Sequence, residues 1–478
     1  MSSDLHMTEE LAFRSAHSLS SAFRSGELSP VDVTENLFSR IEQLEPVLNA
    51  FCVLDRDAAL EAARASESRW KAGQPLSPID GIPVSIKDII LTKGWPTLRG
   101  SLTISPDQPW NVDGPAVARL REAGAVIFGK TTTPEFASKP VTNSALTGIT
   151  RNPWNPALTP GGSSGGAAAA VASGLGPLAL ATDAGGSIRI PASLCGVFGH
   201  KPSGGRVPMF PPTPYASLAG FGPITRNVTD AAMMLSVISG PDTRDFGALP
   251  YDPIAYEEML EECDLSGLRI AYSPTMGYAE VDEELEAIVR RAVDKLAANG
   301  AHVDHVVKVM DSPLDSLERL KKGFADYAFR NLAPEDMAKV DPMIAEEIQA
   351  SRGADLTTHF DAEMERAELH RQMAEFHKTY DILLTPAISA QAFPAEQDAP
   401  EGGGRYDWIP FTSPFNMTRQ PAASIPCGFS VSGMPIGMQI VGPQFADLAV
   451  LQAARQFEKI LPWEDIKPRY GKPGAAIS

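Results

Sequence analysis

The stretch from Gly161 to Thr182 constrains this chain most. It reads G-G-S-S-G-G-A-A-A-A-V-A-S-G-L-G-P-L-A-L-A-T and contains no charged residue. Such a run has to be packed inside a larger body. It is not a membrane span, which needs about 18 or more strongly apolar residues; this one is mostly Ala and Gly and is broken by Gly174, Gly176 and Pro177. A buried helix over Ala167–Ser173 followed by a buried strand over Pro177–Thr182 is expected. With 43% apolar residues in a chain of 478, there is ample material for a large core.

The rest of the chain alternates in the same way. Ser29-Pro30 reads as a helix cap and first turn. Val33, Leu37, Ile41, Leu44 and Leu48 follow at helical spacing. Further helices are expected over 56–72, from Pro115 to Gly124, from Thr229, over 281–298 and over 357–379. Short buried strands are expected at 125–128, 268–272, 382–384, 422–425 and 436–441. Helices alternating with short buried strands imply an α/β fold, a sheet between helical layers. No internal repeat is visible, and residues 388–406 and 207–215 read as long loops.

Composition narrows the function classes. The formal charge of −18 argues against a nucleic-acid or anionic-membrane surface. The cysteines, Cys52, Cys195, Cys263 and Cys427, are scattered without a CxxC pair, which fits reduced thiols in the cytoplasm. The N-terminal MSSDLHMTEELAF has no basic segment followed by an apolar run, so no signal peptide is expected. No metal site is expected. The histidines form no HExxH motif, and His302-x-x-His305 reads as a polar strand edge.

Three short motifs suggest other chemistry and fail on context. Gly124-A-V-I-F-G-K-T spells a phosphate-binding loop, but its inner residues read as the strand itself and a helix precedes it. Gly162-S-S-G-G spells a nucleophile elbow at Ser164, but a proline-rich loop stands where the elbow needs a strand. Ser68-R-W-Lys71 spells S-x-x-K inside a charged helix.

Three other segments fit together. Gly81-I-P-V-S-I-K-D carries Lys87, Thr159-P-G-G-S-S-G-G carries Ser163, and Thr182-D-A-G-G-S-I-R carries Ser187. Ser163 and Ser187 are 24 residues apart, and Lys87 lies 76 residues before Ser163. No histidine occurs in the three segments, so the base available to a serine nucleophile is a lysine. Ser187 follows two glycines, which let backbone N–H groups converge on an oxyanion. Ser187 is therefore the expected nucleophile, with the N–H groups of Ala184, Gly185, Gly186 and Ser187 as donors. Lys87 follows an apolar run, and burial would lower its pKa toward a useful range. Asp183 and Arg189 are expected to form a structural ion pair.

Together these segments resemble the amidase signature family, whose members hydrolyse amides with a Ser–Ser–Lys triad. The resemblance is dense over residues 80–235. It returns in Asp381-I-L-L-T-P, Asn416-M-T-R-Q-P and Gly433-M-P-I-G-M-Q-I-V-G, whereas 240–380 is not diagnostic. It implies one catalytic domain over 1–478 with a large mixed sheet between helical layers. It also implies a cis peptide bond at Gly162–Ser163, a relay role for Ser163, an acyl-enzyme at Ser187, no cofactor, and homodimers in many members.

The expected substrate is a small-molecule amide. Loops expected to flank the site carry Trp154, Met209, Phe210, Tyr215, Trp408, Phe411 and Phe415, which would suit an aryl or alkyl amide. One branch of the family is the A subunit of the glutamyl-tRNA(Gln) amidotransferase. That branch carries an acidic residue at a position falling near Ile409 here, with Asp407 close by, and so ranks second. An esterase or a non-catalytic binding protein on the same scaffold are the remaining classes.

Overall fold

The computed structural model describes residues 9–251 and 253–469; residues 1–8 of the stretch inspected for a leader lie outside them. The strands are β1 (Phe51–Leu54), β2 (Pro83–Lys87), β3 (Val126–Thr131), β4 (Asn143–Ser144), β5 (Gly148–Ile149), β6 (Leu178–Asp183), β7 (Phe198–Lys201), β8 (Gly220–Thr225), β9 (Arg269–Tyr272), β10 (His302–His305), β11 (Ile382–Pro386), β12 (Ala422–Phe429) and β13 (Pro435–Val441). All except the β4–β5 ribbon form one sheet of eleven strands, in the order β1-β3-β2-β6-β8-β7-β12-β13-β11-β9-β10. The sheet is mixed. β3, β2 and β6 run parallel, as do β11, β9 and β10, and the remaining pairs are antiparallel.

The helices are α1 (Ala16–Ser25), α2 (Pro30–Leu48), α3 (Arg56–Lys71), α4 (Pro115–Glu122), α5 (Gly165–Ala172), α6 (Arg189–Cys195), α7 (Val228–Ile238), α8 (Glu283–Ala298), α9 (Leu314–Ala328), α10 (Pro342–Ser351), α11 (Leu356–Phe376), α12 (Pro414–Met417) and α13 (Asp447–Ile460). Their starts follow local chemistry. At α2, Asp32 N–H donates to Ser29 Oγ (3.1 Å) and Ser29 N–H donates back to Asp32 (3.0 Å), a reciprocal cap with Pro30 in the first turn. Asn227 caps α7 by accepting from Asp230 N–H at 2.8 Å.

The Gly161–Thr182 run behaves as its composition requires. In β6, Leu178 and Leu180 join the large apolar cluster that contains Val228, Ala231 and Leu235 of α7. Ala179 and Ala181, on the opposite face by strand alternation, cluster with Ala167, Ala168 and Val171 of α5. Small side chains on both elements let α5 approach the sheet closely, and every residue of α5 is buried. Among the described residues, no helix is long and apolar enough to cross a membrane. The helices α1, α6, α9, α10, α12 and α13 and the strands β1, β7 and β8 lie outside the elements expected from the sequence. His302 and His305 stand on β10, the edge strand of the sheet.

Candidate active site

The parallel pair β2 and β6 brings its C-terminal ends together, with Val84 opposite Leu178 and Ile86 opposite Leu180. β2 is buried along its whole length, as suits a central parallel strand, and ends on Lys87. β6 ends on Thr182 and Asp183; the chain then turns through Ala184–Ser187 into α6. Ser163 and Ser164 lie at the start of α5. The site thus sits beyond the carboxyl ends of parallel strands, where α/β sheets form clefts.

Lys87 is fully buried. Its Nζ is 2.6 Å from Ser163 Oγ, 2.8 Å from Ser164 Oγ and 2.9 Å from Thr182 Oγ1. Burial lowers its pKa to about 7, against the opposing pull of the Asp183 charge. Asp88, adjacent in sequence, takes no part: it pairs with Lys130 at 2.7 Å. The Gly162–Ser163 peptide is cis. A Cβ on Gly162 would run into the backbone of Val141, so the close approach at this bond requires glycine.

Ser187 is half-buried, whereas Ser163 and Ser164 are fully buried. Its carbonyl accepts from Ser164 N–H at 3.2 Å, which ties the two serine segments together. The Ser187 turn is held from below by Asp183. That carboxylate accepts from Gly186 N–H (2.7 Å), Ile188 N–H (3.1 Å) and both Nε and Nη2 of Arg189 (2.9 Å each). Burial would raise its pKa, but Arg189, Lys201 and Asn416 outweigh it and hold the group well below the usual carboxylate range. The expected structural ion pair is therefore present. It also corrects one expectation: Gly186 N–H is committed to Asp183 and is no free donor. The N–H groups of Ala184, Gly185 and Ser187 make no hydrogen bond among the described residues.

A third segment closes the site. Thr412 Oγ1 (2.7 Å) and Ser413 Oγ (3.1 Å) donate to the Gly185 carbonyl. Asn416 donates to the carbonyl (3.0 Å) and carboxylate (2.9 Å) of Asp183, and Gln439 accepts from Arg189 at 2.7 Å. Gly186 has φ +130°, and a Cβ there would collide with Thr412 Oγ1. Thr182, Thr412, Ser413, Asn416 and Gln439 were not among the expected site residues. Thr182, Asn416 and Gln439 do fall inside the segments that carry the family resemblance.

The expected aromatic wall is only partly present. Phe411 and Trp408 are buried, at 0% and 2% exposure; Trp408 packs edge-on to Phe393 at 5.1 Å. They are core. Trp154 donates to the Cys195 carbonyl (2.8 Å) and packs on Phe429, at the end of α6 remote from Ser187. Phe210 lies against Arg244, and Tyr215 packs on Phe324 of α9 at 5.3 Å. These last two remain partly exposed.

The rejected motifs behave as expected. Gly124 follows α4, and Val126–Thr131 is the strand β3 itself. Lys71 makes an exposed ion pair with Glu67 at 3.0 Å. His200 is buried with Nε2 3.5 Å from Asp447, and burial lowers its pKa.

A sequence profile described as Amidase matches residues 32–451. The chain belongs to the amidase signature family. It is an amidohydrolase of C–N amide bonds. An acylamidase of Rhodococcus erythropolis is 35% identical over 97% of this chain and 98% of that protein. The A subunit of the glutamyl-tRNA(Gln) amidotransferase of Chloroflexus aggregans is 34% identical over 96% of this chain and 99% of its own. The solved structure of a bacterial aryl acylamidase of the amidase signature family superposes with a TM-score of 0.87 and 30% identity, covering 94% of this chain and 97% of that one.

Proposed function

We propose that this amidase cleaves a small aryl or alkyl carboxylic amide to the acid and ammonia or an amine, through an acyl-enzyme on Ser187. The observation that carries the reading is the fully buried Lys87, whose hydrogen-bond partners among the described residues are three hydroxyls and no carboxylate. A neutral lysine amine has two N–H donors and one lone pair, so one of the three hydroxyls must donate to it. Ser164 already donates to the Thr182 carbonyl at 3.2 Å. Ser163, at the shortest distance, is the natural donor to the lone pair, which leaves its own oxygen able to accept the Ser187 proton.

The steps then balance. Ser187 Oγ attacks the amide carbon as its proton passes to Ser163 and the Ser163 proton passes to Lys87. The oxyanion is held by N–H groups of Ala184, Gly185 and Ser187. The proton returns through Ser163 to the leaving nitrogen as the C–N bond breaks. Water then enters, gives its proton to the same relay and releases the acid, restoring Ser187.

The partly exposed Phe210 and Tyr215 support an apolar acyl or amine group. The amidotransferase reading ranks second, supported by relatives of that name. Against it, the position expected to hold an acidic residue is the buried Ile409, and Asp407 accepts from Gly404 N–H in its own loop at 2.7 Å. We read 1–478 as one catalytic unit acting in the cytoplasm, and a homodimer as its assembly; sedimentation of the purified chain tests the latter. The deciding assay is ammonia or amine release from benzamide-like, aliphatic, anilide, urea-type and glutamine amides, with wild type and Lys87→Ala. Turnover of simple amides that vanishes in the variant supports the reading. Turnover of glutamine alone overturns it.

A further inference from the structure

The helical layer over 314–376 supplies no partner to Lys87, yet one of its side chains holds two segments that neighbour the site. Arg366 lies in the buried stripe of α11 formed by Ala362, Leu369 and Met373, and is itself only 8% exposed. A guanidinium at a core position is costly unless its donors are satisfied. Here Nε donates to the Met417 carbonyl (2.7 Å), Nη2 to the Ser217 carbonyl (2.7 Å) and Nη1 to Ser217 Oγ (3.0 Å). The contact to Glu363, one turn away on the same helix, is longer at 3.3 Å. Arg366 is thus spent chiefly on two segments outside its own layer.

One of those segments touches the Ser187 turn, because Thr412 and Ser413, just before α12, donate to the Gly185 carbonyl. Ser217 ends the turn Pro214–Ser217 that carries Tyr215, and Met417 ends α12. One residue along on each, Asn416 donates to the Leu218 carbonyl at 3.0 Å, so Arg366 and Asn416 form two successive rungs between the same pair of segments. Asn416 also holds Asp183, which fixes the N–H groups on either side of Ser187. Gly220, two residues beyond Leu218, stands opposite Asp183 in the sheet. The Tyr215 turn therefore leads directly into the strand beside Asp183, the residue from which the Ser187 turn starts.

We propose that Arg366 is a positioning residue for amide turnover, pinning the Tyr215 turn to α12 and so fixing a wall that ranks amides by the size of their acyl group. The inference rests on the amidase reading above. Lysine could do this only in part, because its ammonium keeps the charge but lacks the planar fork that reaches both carbonyls at once.

The test uses the full chain carrying Arg366→Met or Arg366→Lys. Hydrogen–deuterium exchange is followed over 207–218 and 412–418, with β2 and β6 as internal controls. Steady-state kinetics are measured on the smallest and the bulkiest amides that wild type hydrolyses. In Arg366→Met, exchange should rise in those two segments and not in the control strands. KM for the bulky amide should rise about tenfold with kcat within about twofold, as loss of a charged hydrogen bond to a binding wall predicts. The small amide should keep its KM, and Arg366→Lys should recover part of the loss. Unchanged exchange and KM would overturn the proposal. So would an equal loss of kcat/KM on both amides with exchange raised throughout, which marks a merely structural residue. Failure of wild type on every amide of the panel sinks the proposed aryl or alkyl amide substrate instead, while the exchange pattern still decides whether Arg366 pins the turn.

Discussion

Lys87 ends β2, and Lys130 lies next to the end of β3, its parallel neighbour. Both side chains are fully buried, and burial draws both pKa values below the ordinary lysine value. Their surroundings differ because of register. Lys130 stands opposite Ile86, not Lys87, so the two side chains leave opposite faces of the sheet. Lys87 meets three hydroxyls under α5. Lys130 meets the Asp88 carboxylate at 2.7 Å and donates to Thr97 Oγ1 at 2.6 Å. A carboxylate partner favours the ammonium and opposes the effect of burial; hydroxyls can serve the neutral amine equally well. Two lysines alike in burial and strand position thus face different chemistry, hydroxyls around the proposed base Lys87 and a carboxylate against Lys130.

The largest expected effect falls on the Lys87 side of this contrast. Ser187→Ala should abolish turnover, and Lys87→Ala should lower kcat by about 10²–10⁴-fold, the usual worth of a general base, while far-ultraviolet circular dichroism stays native. Lys130→Met should do the reverse. It leaves Asp88 buried without its cation, so urea unfolding should show a loss of about 3–5 kcal/mol, with kcat per folded molecule within about threefold. A folded but inactive Lys130→Met would break the comparison.

A smaller effect sharpens it. Burial lowers the Lys87 pKa, so the base is neutral above that value and protonated below it. The acid limb of kcat/KM should therefore sit near pH 7, with activity rising as pH rises through it. Lys130→Met should leave that limb in place. A limb that disappears on mutating His200 would instead assign the base to histidine. The smallest effect is expected for Ser164→Ala, which removes one of three hydroxyls around Lys87 and should cost about 0.5–1.5 kcal/mol in activation, up to roughly tenfold in rate.

The candidate chemistry was legible because three segments, each ambiguous alone, occur together in one order and spacing. Lys87, Ser163 and Ser187 come from such segments, as does the Asp183–Arg189 pair. The aromatic wall was not legible. Trp408 and Phe411 sit in a loop-rich stretch whose spacing has no period, so nothing in the sequence says which side faces inward. The commitment of Gly186 N–H to Asp183 depends on a carboxylate folding back three residues, which only coordinates reveal. α9 does carry a readable period in Leu317, Leu320 and Phe324, yet its packing against the Tyr215 turn is a tertiary choice. Arg366 reads in isolation as an ordinary charged helix residue, and its burial follows from the carbonyls it meets.

The place of the β12–β13 hairpin in the sheet has a consequence for synthesis. β12 pairs with β7 and β13 pairs with β11, so residues 422–441 are the seam that joins the two halves of the sheet. A nascent chain that has not yet extruded this hairpin carries two half-sheets with the open edges of β7 and β11, each a template for wrong pairing. The same interval lacks Gln439, one of the partners of Arg189. Closure of the sheet thus waits for the last part of elongation, and ribosome-stalled chains ending before the hairpin should lean on chaperones while those ending after α13 should not.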